Sequence, residues 1–209
     1  MLRIYAMVAA GLVVAMTGGI FLYSTFFVAA DKYAQCRSTT VAGGISQIGG
    51  PFTLIDQTGR TVTDADVIDQ PALIYFGYTF CPDVCPLDTA RNADAVDILE
   101  ERGLMVKPVF ISIDPERDTP EVLDAFAANL HERMLGLTGT AEQVREASRA
   151  YRTFYQKQEP AAGNEDYYLV DHTTMSYLAL PGAGVVGVFD RALRANDIAD
   201  RVQCFLDAG

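Results

Sequence analysis

The feature that most constrains this chain is an uncharged apolar stretch near its N-terminus, from Ile4 to Ala30. As a helix it would be about 40 Å long, more than the roughly 30 Å hydrocarbon core of a bilayer. The apolar core of a signal peptide is shorter, about 7–15 residues, so we expect an uncleaved transmembrane anchor. The small residues Val28-Ala29-Ala30 at its end leave cleavage open as an alternative.

The charges around this stretch predict its orientation. Arg3 and the N-terminus precede it, whereas Asp31 and Lys32 after it cancel each other. The positive-inside rule then places the N-terminus in the cytoplasm and residues 31–209 outside. The chain opens on its apolar stretch without an Arg- and Ser-rich presequence, which favours a bacterial inner membrane with the remainder in the periplasm.

The part of the chain that follows the anchor is acidic. It holds all 27 Asp and Glu residues and every one of the 16 Lys and Arg residues except Arg3. Such a domain is repelled by phosphates, so we expect no nucleic acid partner. Residues 31–50, which contain two Gly-Gly pairs among polar residues, are expected to be a linker. The remaining residues, 51–209, are long enough for one folded domain.

Apolar patterns in this domain predict alternating strands and helices. A hairpin is predicted over Phe52–Thr63, buried strands over Ala72–Tyr78 and Val106–Ile113, short strands over Leu135–Leu137 and Tyr167–Val170, and a second hairpin over Met175–Phe189. Helices are predicted over Leu87–Glu101, Glu121–Leu130, Ala141–Phe154 and Asp197–Leu206. This order describes an α/β fold, a thioredoxin-like sandwich with an N-terminal β-hairpin, preceded by one transmembrane helix.

Two cysteines, Cys81 and Cys85, lie in the loop after the first buried strand. Pro86 suits the first helical position and disfavours helical angles at Cys85, so we expect the helix to begin at Pro86. A helix N-terminus stabilises anions, and both thiols are therefore expected to have lowered pKa values. Soft thiolates favour Cu(I) or Zn(II), but the pair can also form a disulfide, and the residues alone leave both open.

His172 is the third candidate ligand. In a thioredoxin-like sandwich the loops that lead into the last hairpin lie beside the first β-α loop, which would bring His172 over the thiols. Asp171 beside it and Asp83 in the cysteine loop are candidate supporting residues. His131, the other histidine, is interpreted as a surface residue at a helix end.

Four segments carry a resemblance to a known family. They are Gly49–Leu54, Tyr75–Pro86, Ile111–Pro120 and Val170–Thr173. With these segments in this order, the chain from about Gly50 to its last helix resembles the Sco/SenC family of copper chaperones for cytochrome c oxidase.

The resemblance implies a membrane-tethered metal-transfer protein rather than an enzyme. Cys81, Cys85 and His172 match the family's ligands for Cu(I) and Cu(II). The implied partner is cytochrome c oxidase subunit II, whose dinuclear copper centre the family helps to assemble, or another copper acceptor. Asp114–Pro120 looks like the family's signature loop. We interpret it as structural, with a helix that starts at Asp118 or Thr119 and has Pro120 in its first helical position.

Three residues depart from the family pattern. Phe80 occupies a position that is often His in relatives, although not at a ligand. Cys36 and Cys204 are additional, and we predict that they form a disulfide that ties the linker to the final helix. The alternative is that one of them exchanges with the site or with a partner.

Other functions would use the same two thiols. A thiol–disulfide reductase or a redox sensor needs Cys81 and Cys85 but not His172, so it stays open beside the chaperone. A peroxiredoxin-like peroxidase is disfavoured, because Thr79 stands at the wrong interval from Cys81 and no arginine is near in sequence.

Overall fold

The computed structural model describes residues 2–26, 31–37, 43–160 and 167–209. The chain forms two compact units, Met1–Ala34 and Gln35–Gly209. The first contains helix α1 (Leu2–Phe26), in which Arg3–Leu22 is long and apolar enough to cross a membrane, with a mean hydropathy of 2.0. By length and composition this helix suits a membrane anchor or a signal sequence. The last residues of the predicted anchor, 27–30, lie outside the described residues.

The second unit is an α/β fold built on a mixed sheet. Its strands are β1 (Thr53–Asp56), β2 (Thr61–Thr63), β3 (Ala72–Gly77), β4 (Lys107–Ser112), β5 (Leu135–Thr138), β6 (Tyr155–Lys157), β7 (Val170–His172), β8 (Ser176–Leu180) and β9 (Gly184–Phe189). Its α-helices are α2 (Asp64–Val67), α3 (Val84–Glu101), α4 (Pro120–Leu130), α5 (Ala141–Ala150) and α6 (Ala195–Asp207). Seven strands form one sheet in the order β2-β1-β5-β4-β3-β8-β9, and β6 pairs with β7 separately.

The centre of the sheet explains where a site can form. Strand β3 is parallel to β4, which is parallel to β5, whereas β8 runs antiparallel to β3. Every residue of β3 is buried, as its continuous apolar sequence predicted. Since parallel strands end at the same edge of a sheet, the loops after Gly77 and Ser112 lie together.

The predicted α/β order, including both hairpins, is confirmed apart from two short elements that were not predicted, α2 and β6. The turn between β8 and β9 uses Gly182 and Gly184 at positive φ, 70° and 68°. Thr119 caps α4 by accepting a hydrogen bond from the Val122 N–H, with Pro120 in the first helical position, as predicted.

The region before β8 differs from the prediction. The helix predicted to run to Phe154 ends at Ala150, because Arg152 adopts a left-handed φ of 52° and turns the chain. The unpredicted strand β6 follows, and Tyr155 pairs with His172. The strand predicted over Tyr167–Val170 therefore lies over Val170–His172, where it finds this partner.

The segment predicted to be a linker contains ordered turns. One 3-10 turn covers Ala34–Cys36 and another covers Ile45–Gln47. Ile48 is buried, and the Gly49 N–H donates to the Ala150 carbonyl at 2.8 Å. Gly49 has a φ of 89°, and a Cβ there would meet the Val185 side chain at 2.8 Å, so this close approach requires glycine.

Candidate metal centre

The two loop cysteines lie at the start of α3, but the helix begins earlier than predicted. Asp83 is its N-cap and Val84 its first residue, which leaves Pro86 at the third helical position. Proline is tolerated there because the N–H groups of the first turn have no partner within the helix. Cys85 is thus inside the first turn, and its N–H donates to the Cys81 sulfur at 3.3 Å.

The two thiols differ in ionisation, and the expectation that both have lowered pKa values is wrong for Cys85. Burial raises the pKa of Cys81, but the N–H groups of Asp83, Cys85 and Val84 outweigh it and lower that pKa. Cys85 is fully buried, and burial, assisted by the negative charges of Cys81 and Asp88, raises its pKa. In the metal-free site the half-buried Cys81 is therefore the more readily ionised thiol, and the buried Cys85 is the less readily ionised one.

Close packing against β3 fixes the position of Cys85. A Cβ on Gly77 would lie 3.1 Å from the Cys85 sulfur and 2.9 Å from the Tyr75 ring. The Tyr75 hydroxyl donates to the buried Asp88 carboxylate at 3.1 Å, one helical turn after Cys85. The Thr89 hydroxyl donates to the Cys85 carbonyl at 2.7 Å.

His172 is the last residue of β7, and its Nε2 lies 3.2 Å from the Cys85 sulfur. Its Nδ1 lies 2.9 Å from the Thr173 carbonyl, which can only accept a hydrogen bond. We therefore place the proton on Nδ1, so that the Nε2 lone pair faces the thiols. Burial lowers the pKa of His172, which favours the neutral imidazole that a metal requires.

Together these side chains form a group of metal-binding size. The sulfurs of Cys81 and Cys85 and a nitrogen of His172 all lie within 4.8 Å of one another. An ion about 2.3 Å from each sulfur and about 2.0 Å from the nitrogen would hold these atoms about 4 Å apart. Two soft thiolates and one imidazole suit Cu(I) or Zn(II) rather than a hard cation.

The two acidic residues predicted to support the site lie outside this group. Asp83 is exposed and makes no side-chain capping hydrogen bond, and it acts on Cys81 through its backbone N–H. Asp171 is exposed and accepts a hydrogen bond from Gln158 at 2.7 Å. Strand alternation points it away from the face that carries His172.

A different carboxylate contacts the cysteine loop, that of Asp118, which was expected only as a possible helix start. Its buried carboxylate accepts from the Thr79 N–H at 3.0 Å, the Thr79 hydroxyl at 2.5 Å and the Ser112 hydroxyl at 2.5 Å. Burial raises the pKa of Asp118, although these donors oppose the shift. The sequence does contain a signal for this contact: β3 and β4 are adjacent parallel strands, so the residues that follow them, Thr79 and Asp118 among them, are expected at the same edge of the sheet.

No arginine is near the cysteine loop in sequence, but the fold brings one close to it in space. The Arg117 guanidinium stands 4.5 Å from the centre of the Phe80 ring. A peroxidase still finds no support, since the Thr79 hydroxyl is committed to Asp118.

A second group, Asp97, Glu100 and His131, has the spacing of a metal site but the wrong tautomer. The Arg133 N–H donates to Nδ1 of His131 at 3.0 Å, so the proton must reside on Nε2. Nε2 lies 3.2 Å from Asp97, to which it donates. His131 does lie at a helix end, but it is buried rather than on the surface.

The remaining two cysteines form a disulfide. The Cα atoms of Cys36 and Cys204 are 5.7 Å apart, and the bond joins the turn Ala34–Cys36 to α6. Cys81 and Cys85 are free thiols.

Comparisons with known proteins agree with this architecture. A family model described as SCO1/SenC matches residues 41–207. The chain is 52% identical over 178 residues to Protein SenC of Rhodobacter capsulatus, covering 85% of this chain and 79% of that protein. It is 41% identical over 173 residues to the human mitochondrial SCO1 homolog, covering 81% of this chain but only 56% of that longer protein.

The fold is also similar to that of a solved structure from the same family. The chain resembles Arabidopsis thaliana ScoI with copper bound, with a TM-score of 0.71 and 37% identity over 77% of this chain and 99% of that one.

Proposed function

Because the chain belongs to the SCO1/SenC family, we propose that it binds one copper ion through Cys81, Cys85 and His172 and serves in the assembly of cytochrome c oxidase. The acceptor in this proposal is the dinuclear copper centre of subunit II. The observation that carries the proposal is the convergence of three soft or borderline ligand atoms within 4.8 Å, beside a relative whose structure contains copper.

The ligand set suits a copper ion that is bound and then released. Two thiolates and a neutral imidazole give Cu(I) a net charge of −1, which the N-terminus of α3 helps to stabilise. Cys81 is half-buried and therefore accessible to an incoming ligand, whereas Cys85 is fully buried. A partner sulfur can replace one ligand at a time from the Cys81 side, which suits transfer.

We propose further that α1 holds the domain at the outer face of a bacterial inner membrane. Arg3–Leu22 has the length and hydropathy of a span, and its single charged residue, Arg3, favours a cytoplasmic N-terminus. The domain would then lie in the periplasm, where the Cys36–Cys204 disulfide is stable.

The test is copper binding by the full chain in detergent. Wild type should bind one copper per chain, and His172→Ala, Cys81→Ser and Cys85→Ser should each lose it or weaken it at least about 10-fold. His131→Ala is the matched control, since its imidazole is buried but faces carboxylates and should not change copper binding. Unchanged binding in all three ligand variants would refute the site.

A thiol–disulfide reductase is the second candidate, and it is favoured by the difference in burial and pKa between Cys81 and Cys85. Cys81 is half-buried with a lowered pKa, so it could attack a partner disulfide and form a mixed disulfide. Cys85 would then displace the partner's thiol, and an external dithiol would be needed to reduce the pair again. His172→Ala separates the candidates, because a reductase keeps its thiol exchange while the copper site is lost.

A further inference from the structure

The ligands of the site come from two parts of the chain that share no strand pairing. The thiols belong to residues 78–85, which follow β3 in the seven-stranded sheet and run into the first turn of α3, and we call this segment the thiol loop. His172 ends β7, which pairs only with β6 in the described part of the chain. The pairing of β8 with β3 begins at Ser176, four residues after His172, so further contacts must set the distance between the thiols and the imidazole. Residues 114–118, in the loop after β4, contact both parts, and we call this segment the bracket.

One end of the bracket holds the thiol loop. The Asp118 carboxylate binds both the backbone N–H and the hydroxyl of Thr79, two residues before Cys81. Ser112, at the end of β4, donates to the same carboxylate at 2.5 Å. Because Asp118 is fully buried, these three donors fix the carboxylate and with it the start of the thiol loop.

The other end of the bracket holds the chain that leads to His172. Arg117 Nε donates to one oxygen of Asp114 at 2.5 Å, and the Tyr168 hydroxyl donates to the other at 2.7 Å. Arg117 also donates to the Tyr168 carbonyl at 3.0 Å, and its guanidinium lies 3.6 Å from the centre of the Tyr168 ring. Tyr168, four residues before His172, is thus held by its ring, its hydroxyl and its backbone.

Arg117 touches the thiol loop as well. Its guanidinium lies 4.5 Å from the centre of the Phe80 ring and 5.7 Å from that of Tyr78. The Tyr78 hydroxyl in turn accepts a hydrogen bond from the Val170 N–H at 3.2 Å, at the start of β7. A single planar cation therefore lies between the loop that carries the thiols and the strand that carries the histidine. Lysine could not combine these stacking and forked contacts.

We propose that the bracket, residues 114–118, sets the separation between the two thiols and the His172 imidazole, which makes Arg117, Asp114 and Asp118 positioning residues of the copper site. None of the three belongs to the group of ligand atoms, and each acts through the residues that it holds. The proposal rests on the copper-binding function proposed above.

Conservative substitutions in the full chain test this role. Arg117→Lys keeps the charge but loses the stacked fork, and Tyr168→Phe removes only the hydroxyl that bonds Asp114. Substituting a residue that supports a metal ligand typically weakens metal affinity by about 10–100-fold. We therefore expect each of these two variants to bind copper about 10-fold more weakly, or weaker still. The matched controls are Arg133→Lys, at the opposite end of β4, and Tyr167→Phe, beside Tyr168. We expect both to stay within about twofold of wild type.

Two readouts separate positioning from general stability. The thiolate-to-Cu(II) absorption band should shift in Tyr168→Phe and Arg117→Lys and stay unchanged in the controls. Without metal, amide hydrogen exchange at Val170 and Thr173 should accelerate in the same two variants, because β7 loses its restraint. Should Arg117→Lys fail to fold, Tyr168→Phe alone provides the test.

The outcomes distinguish this inference from the proposed function. If wild type binds copper through its three ligands while Tyr168→Phe and Arg117→Lys bind with wild-type affinity and spectrum, the bracket role is overturned. If wild type binds no copper, the proposed function fails, but amide hydrogen exchange of the metal-free protein still tests the role of the bracket. Faster exchange only in the two bracket variants supports the bracket, and unchanged exchange overturns it.

Discussion

Gly77 at the end of β3 lies behind the candidate metal centre, and Gly77→Ala is the sharpest test of the packing described for Cys85. A methyl group there would stand 2.9 Å from the Tyr75 ring, 3.0 Å from the Phe110 ring and 3.1 Å from the Cys85 sulfur. Both rings are at most 1% exposed, and Tyr75 is further fixed by its hydrogen bond to Asp88, so none of the three neighbours can yield easily.

Two opposing effects give the expected magnitude. Overpacking a full core costs about 1–3 kcal/mol, whereas alanine restricts the unfolded chain and returns about 0.4–1 kcal/mol. We expect Gly77→Ala to lower the free energy of unfolding by about 1–2 kcal/mol. Because the Cys85 sulfur must move, copper affinity should fall as well.

The assay is urea unfolding of the metal-free full chain in detergent, together with a copper titration. Gly50→Ala is the matched control, since its added methyl would meet only Ala150 at an ordinary 3.4 Å. The control should bind copper as wild type does and lose no stability. A Gly77→Ala protein with wild-type stability and copper affinity would refute the tight packing described for Cys85.

Two further predictions concern the other cysteines and the pH dependence. Replacing Cys36 and Cys204 with serine removes a disulfide that spans 168 residues of sequence, and we expect the free energy of unfolding in urea to fall by up to about 5 kcal/mol. A cost below about 1 kcal/mol would contradict this. In the unreduced wild type, neither of these two cysteines should react with maleimide. In metal-free wild type, residue-resolved alkylation should reach half its maximal rate at a lower pH for Cys81 than for an unperturbed thiol, and at a higher pH for Cys85, because the pKa of Cys81 is lowered and that of Cys85 is raised. The lowered pKa of Cys81 contributes stability above its unfolded pKa that is lost as the pH falls through the folded one, and equal profiles for the two thiols would count against the assigned environments.

The sequence predicts the sheet well because its signals are local. Strand β3 is a continuous apolar run between turn residues, and Thr119-Pro120 marks the start of α4 through capping and a preset φ. The predicted start of α3, at Pro86, lies two residues after the observed start at Val84, because proline is tolerated throughout the first turn of a helix and not only at the first helical position.

What the sequence could not predict depends on contacts between distant residues. The raised pKa of Cys85 follows from its burial under β3, and spacing to Pro86 carries no information on that burial. Strand β6 exists because β7 pairs with it, and its three residues have no periodicity of their own. The local sequence indicates only a possible helix start at Asp118 and a loop residue at Arg117, and the shared edge of β3 and β4 is what brings both to the thiol loop.

The most direct test of the central claim is X-ray absorption at the copper edge of the copper-loaded full chain. The account predicts two sulfur ligands at about 2.3 Å and one nitrogen at about 2.0 Å, with the nitrogen lost in His172→Ala and kept in His131→Ala. A first shell of oxygen and nitrogen alone, or a shell that His172→Ala leaves unchanged, would contradict it.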